Sequence, residues 1–261
     1  MGLTTKIDWC DSTWNPVTGC LHGCEYCYAR WIAERFNGHF GTDGLHELTE
    51  PLRDVWRNED TGEQIMGQKE PYPYGFSPTF HRYKLDVPQQ WKRPRNIFVC
   101  SMADLFGNWV PVEWIKQVFY SCEKAPQHTY LFLTKNPERY MRLRKDGLLP
   151  CRDNFWYGST TPFKKTAFWY HPSFKTFLSI EPIMEPFTML GVDDAFVNWI
   201  IVGAETGNRR GKVVPQKEWI MELVNSCART HTPIFMKESL RSIMGDDFKQ
   251  EFPWQKDSKM N

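Results

Sequence analysis

Six short apolar runs, each stopped by turn-forming residues, set the strongest limit on how this chain folds. They cover residues 96–100, 130–133, 155–158, 176–180, 199–203 and 233–236. Continuous runs of this length suit strands covered on both faces, as in a parallel sheet. Between them the spacing changes to three and four. Residues 112–123 collect Trp114, Ile115, Val118, Phe119 and Cys122 on one helical face, and 216–230 repeat this with Trp219, Ile220, Leu223, Val224 and Cys227. Residues 137–145 open on a proline, which is favoured at a first helical position. Alternating strand and helix predicts βαβ units. With a first strand near residues 15–19 there are seven strands, so the expected fold is an α/β, (β/α)-type barrel, partial or nearly closed, in one domain over 1–261.

Residues 38–95 interrupt this rhythm with Gly, Pro, Tyr and charge, and a helix is expected around 48–56. A stretch this long after the first helix reads as a functional insertion or lid. Hydrophobic residues make up 41% of the chain and aromatic residues 15%. That is ample apolar surface for a packed core and excludes a disordered chain. The 32 Lys and Arg against 31 Asp and Glu leave a formal charge of +1, so any nucleic-acid role has to rest on a local patch. Residues 1–11 hold no apolar signal core, and no window of about 18 apolar residues is long enough to span a bilayer. The expected location is the cytoplasm, with no membrane partner.

Three of the eight cysteines are clustered, in Cys20-Leu21-His22-Gly23-Cys24-Glu25-Tyr26-Cys27. Thiolates are the usual ligands of iron–sulfur clusters, and three thiolates for four irons leave one iron open to a small molecule. Residues 28–36 read as a helix, whose N-terminal end favours the negative charge of a cluster. The competing reading is structural zinc with His22 or Cys10 as fourth ligand, although zinc motifs normally pair two short-spaced couples and no second couple follows. His22 otherwise reads as a solvent-facing loop residue. Cys10, Cys100, Cys122, Cys151 and Cys227 are scattered and read as buried thiols.

The segment resembles the C-x3-C-x-aromatic-C signature of the radical S-adenosyl-L-methionine (SAM) superfamily. The wider frame resembles the phage-associated three-Cys-motif protein family. That likeness is carried by Trp14-Asn15-Pro16-Val17-Thr18-Gly19-Cys20, Ser101-Met102-Ala103-Asp104-Leu105-Phe106, Leu133-Thr134-Lys135, Ser179-Ile180-Glu181-Pro182 and Ile201-Val202-Gly203-Ala204-Glu205-Thr206-Gly207. The resemblance implies a [4Fe–4S] cluster on Cys20, Cys24 and Cys27, with SAM chelated at the open iron. It implies reductive cleavage of SAM to methionine and a hydrogen-abstracting 5′-deoxyadenosyl radical, fed by a reductant such as flavodoxin or ferredoxin. Ser101, Met102 and Asp104 fall where the SAM amino group is usually held. Ser159 and the Ser179–Glu181 segment fall where ribose or carboxylate contacts are common, and Thr134 and Tyr26 join the cofactor-binding candidates.

Active sites of β/α barrels sit at the carboxyl ends of the strands. Besides the residues already named, those ends offer Lys135, Glu181, Glu205 and Lys237 as catalytic candidates, with the division between SAM and substrate contacts left open. The bland alternatives are a turn cap at Asp104 and a structural Lys135–Glu181 ion pair. For the substrate, cations interleave with aromatics at 81–84, 91–95 and 139–145, and Lys164-Lys165 add charge. Such patches suit nucleic acid, or are simply solvated faces. The phage-family resemblance implies hypermodification of DNA, with isomerisation of an amino-acid adduct on thymine as the leading expectation. The base is then flipped out or presented single-stranded. The alternatives are radical SAM chemistry on a peptide or small metabolite, and a non-catalytic metal-binding module that recognises nucleic acid.

Overall fold

The computed structural model describes residues 5–36, 41, 43–58, 61–187, 197–207 and 209–255. In chain order the strands are β1 (Ser12–Trp14), β2 (Val17–Thr18), β3 (His46–Leu48), β4 (Arg53–Arg57), β5 (Gln64–Lys69) and β6 (Thr79–His81), then β7 (Asn96–Val99), β8 (Thr129–Thr134), β9 (Phe155–Thr160), β10 (Lys175–Ile180), β11 (Trp199–Val202) and β12 (Ile234–Met236). The helices are α1 (Tyr28–Arg35), α2 (Val87–Gln90), α3 (Val112–Glu123), α4 (Glu138–Lys145), α5 (Lys217–Thr230) and α6 (Arg241–Met244). The architecture is α/β. Seven strands form a parallel sheet of half-barrel type in the order β1-β7-β8-β9-β10-β11-β12.

The chain divides into two compact units. The first is Met1–Ser12, Arg95–Phe98 and Thr129–Asn261; the second is Thr13–Pro94 and Val99–His128. In the first unit, alternation along the strands separates two apolar clusters. Leu178, Ile180, Ile200, Val202, Ile234 and Met236 pack with α5 through Ile220, Leu223 and Val224. Trp156, Phe177, Trp199, Ile201 and Phe235 form the other cluster, with Trp9, Phe98 and Leu131. Neighbouring positions of one strand therefore enter different layers, as the pleat requires.

Register partners of parallel strands share a face, and Gly158 of β9 is paired with Phe177 of β10. A Cβ on Gly158 lies 2.3 Å from the Phe177 ring. Gly158→Ala is therefore expected to displace a fully buried ring and to lower stability by about 1–3 kcal/mol. Thermal unfolding should show this as a drop of roughly 2–4 °C per kcal/mol. An unchanged midpoint would mean that the Phe177 layer yields without cost.

The first strand of the large sheet lies earlier than residues 15–19. Pro16 has no N–H for the ladder, and the Asn15 side chain is taken by the Ser101 Oγ and Met102 N–H, both of which donate to its Oδ1. Residues 17–18 instead pair antiparallel with β6 in a three-stranded sheet, β2-β6-β3. The helix expected around 48–56 is likewise absent. Pro51 disfavours helical backbone at Glu50, and the segment after it forms β4, paired antiparallel with β5. The described part of the expected insertion is thus strand-bearing. Among the described residues no helix is long and apolar enough to cross a membrane.

Candidate metal centre and strand-end residues

In the second unit, Cys100 follows the last residue of β7 and is a non-glycine residue at φ 59°. Beyond this left-handed residue, residues 101–103 run alongside the segment that leads into the cysteines. Gly19 forms a parallel bridge with Ala103 and its N–H donates to Met102 O at 2.9 Å. The Cys20 N–H donates to Phe76 O at 3.1 Å, and the Cys27 N–H to Cys24 O at 3.2 Å. Cys27 is the N-cap of α1, its Sγ accepting the Arg30 N–H at 3.4 Å. The Arg30 guanidinium donates to Cys20 O at 3.3 Å and lies 5.0 Å over the Phe76 ring. Ala29, Ala33, Phe76 and Met102 form a small core on which Cys20 and Cys27 rest.

Cys20, Cys24 and Cys27 are half-buried and none is in a disulfide. Burial pushes the Cys20 thiol up to about 12, with Asp104, Cys27 and Cys24 adding to the push and a backbone hydrogen bond from His22 opposing it. The three cysteines lie on one loop that ends at the N-terminus of α1, whose positive end favours negative charge. This donor set suits a thiolate-ligated iron–sulfur group. Among the described residues, no three His, Cys, Asp or Glu side chains are already drawn together around a position for a metal ion.

His22 is not a solvent-facing loop residue. Its Nε2 is 2.7 Å from Asp104 Oδ2, and its ring meets the edge of Trp109 at 4.8 Å. Asp104 also caps the following turn, Oδ1 accepting the Phe106 N–H at 3.0 Å, so the local reading of that residue holds beside a second contact. Tyr28, absent from the sequence-based candidates, donates from its hydroxyl to Ser101 O at 2.9 Å. Arg30 and Asn15 were also missed; Asn15 stands in the Trp14-Asn15-Pro16 frame, which was the available signal. Met102 is buried in the small core, and Tyr26 is half-buried within the loop.

In the first unit, pleat and register separate the strand-end hydroxyls. Thr134 and Ser159 are register partners, on the face of Phe132 and Tyr157 and away from Phe177. Thr134 Oγ1 accepts the Asn136 N–H and Ser159 Oγ accepts the Trp169 N–H. Ser179 is instead paired with Thr160 and Ile201 on the Phe177 face. Thr160 and Ser159, adjacent at the end of β9, therefore lie on opposite faces of the sheet. Glu181 pairs with Lys237 and not with Lys135. Gly203 lets the Lys237 stem pass, since a Cβ there lies 2.9 Å from Lys237 Cδ. Glu205 is held by Arg209 through two hydrogen bonds of 2.6 and 2.8 Å, which keep its carboxyl below the usual range. Lys135 is half-buried.

One basic patch is held largely by contacts within the chain. His81 is fully buried between Thr18 and Tyr83, and burial pushes its pKa down to about 3. Arg82 is bonded to Glu47 and Gln117. Burial also lowers Lys84 to about 8. Residues 81–84 are scaffold. Cys100, Cys122 and Cys227 are buried as expected and Cys10 partly so, but Cys151 is exposed.

A family model described as "Protein of unknown function (DUF5131)" matches residues 4–244. No curated protein and no solved structure matches the chain.

Proposed function

We propose that this chain, which belongs to the DUF5131 family, is a radical SAM enzyme whose barrel is of the superfamily type. In this reading Cys20, Cys24 and Cys27 hold a [4Fe–4S] cluster and SAM binds at its open iron. The observation that carries the reading is the cysteine loop: three half-buried thiols, none in a disulfide, on a backbone pinned at Gly19, Cys20 and Cys27. When bound and reduced, the cluster supplies the electron that cleaves SAM to methionine and a hydrogen-abstracting 5′-deoxyadenosyl radical.

The chain's own residues position and shield. Gly19 and Cys20 fix the start of the loop through main-chain bonds, and Arg30 holds the Cys20 carbonyl. Asp104 restrains the middle of the loop through His22. In the first unit, Thr160 and Ser179 are register partners on the Phe177 face, and Glu181 is paired with Lys237. Lys237 keeps Glu181 in one orientation, and Arg209 does the same for Glu205. The assigned substrate is a modified base in DNA, with an amino-acid adduct on thymine as the group rearranged.

The test is anaerobic reconstitution followed by iron and sulfide analysis and by assay of 5′-deoxyadenosine with SAM and dithionite. About four irons per chain and reductant-dependent 5′-deoxyadenosine are expected. Zinc in place of iron, or a reducible cluster that leaves SAM intact, overturns the proposal.

A further inference from the structure

Charge is unevenly spread along a nearly neutral chain. The chain as a whole is +1, yet residues 129–175 hold nine Lys and Arg against three Asp and Glu. Part of this has a local explanation. Arg142, Arg144 and Lys145 occupy the last turn of α4, where cations complement the helix dipole. Lys175 donates to Asp153 O. The dipole does not account for the loop between β9 and β10. There Lys164 and Lys165 are exposed, and the flanking Phe163 and Phe168 are 45% and 39% exposed.

The loop is anchored. The Trp169 side chain is buried, its backbone N–H donates to Ser159 Oγ at 3.1 Å, and its ring lies 5.3 Å from that of Tyr140 in α4. The Lys164 N–H donates to Glu185 Oε1 at 2.9 Å, and a turn joins the Thr166 N–H to Phe163 O. The buried Tyr140–Trp169 contact packs the loop against α4, whose last turn carries Arg142, Arg144 and Lys145. Two exposed phenylalanine rings on a pinned loop offer apolar faces to a partner. Lysines between them select a polyanion that also offers flat apolar faces, a description that fits unpaired bases on a phosphate backbone. Bases inside a duplex do not present those faces. The loop leaves β9 directly after Thr160, at the carboxyl end of the strand where barrel sites lie.

We infer that the β9–β10 loop, together with the basic end of α4, binds single-stranded nucleic acid through Phe163, Lys164, Lys165 and Phe168. The inference deepens the proposed function by naming the form in which the substrate is presented, and in that sense rests on it. Binding itself needs no cluster. Fluorescence anisotropy of an oligonucleotide of about 20 nucleotides, long enough for a groove of this kind, tests it on the full chain before and after reconstitution. The single strand should bind at least about tenfold tighter than its duplex. Phe163→Ala with Phe168→Ala should weaken it about thirtyfold or more, at roughly five- to a hundredfold per ring, without changing the salt slope. Lys164→Glu with Lys165→Glu should weaken it and flatten the slope by about 0.7 per lost phosphate contact. All four side chains are exposed or nearly so, and unchanged thermal unfolding of the variants confirms that the fold is retained. Wild-type affinity in either double variant overturns the inference, as does duplex binding equal to the single strand. Polyglutamate competing as well as the oligonucleotide overturns it too, and marks a protein-docking face. Cluster-free protein that binds and loses binding in the variants sustains this inference even if SAM cleavage fails. Protein that cleaves SAM but binds no oligonucleotide overturns this inference alone.

Discussion

Cys24→Ala is expected to abolish both cluster assembly and 5′-deoxyadenosine release while leaving the protein as stable as before. Cys24 sits on a loop and is half-buried, and removing a thiol from such a place costs within about 0.5 kcal/mol. Its loss leaves two thiolates, too few to hold a cube at three irons. Cys122→Ala provides the opposite pattern. Cys122 is fully buried in the apolar face of α3, so its truncation should cost about 1 kcal/mol of stability and leave the iron content unchanged. Iron and sulfide analysis beside a thermal melt separates the two. If Cys24→Ala retains four irons and releases 5′-deoxyadenosine, ligation does not follow the motif and the proposed role of the loop fails.

The cysteine spacing was legible because its information is local: three residues and two residues of separation, followed by a helix. The sheet was legible because β8 to β12 are buried on both faces and read as unbroken apolar runs. The same property hid the assignment of strand-end residues. In Phe155-Trp156-Tyr157-Gly158-Ser159-Thr160 every position is buried, so no period of two shows which hydroxyl shares the face of Phe177. Only the pairing of Thr160 with Ser179 decides it. Contacts between distant segments were equally hidden. Asp104 is 82 positions from His22, and Lys237 is 56 from Glu181. The basic-aromatic pattern at 81–84 misled for a related reason: a buried His81, an Arg82 tied to Glu47 and a half-buried Lys84 carry the same letters as a solvated patch. The pattern at Phe163-Lys164-Lys165 had the same appearance in sequence, and it is exposure that separates the two.

Gly19→Ala is expected to destabilise the second unit by roughly 3–5 kcal/mol and to prevent cluster assembly. Two causes act together. Gly19 lies at φ 87°, which an L-residue adopts at a cost of about 1–2 kcal/mol. Its added Cβ lies 2.2 Å from Ser77 O and 2.7 Å from Phe76 O. These are main-chain atoms, so no rotamer change relieves the overlap, and the loop has to move away from residues 76–77. That movement breaks the Cys20 N–H to Phe76 O bond and strains the Gly19 N–H to Met102 O bond, each worth about 1 kcal/mol. Gly23→Ala isolates the first cause. Gly23 is also at positive φ, 68°, but nothing lies within 4 Å of its added Cβ, so it should lose only about 1–2 kcal/mol and still assemble the cluster. Urea unfolding and iron content, measured on both variants, read the difference. If the two lose the same stability and the same iron, backbone conformation alone governs the loop. If Gly19→Ala loses far more, the close approach of residues 76–77 is what holds the first cysteine in place.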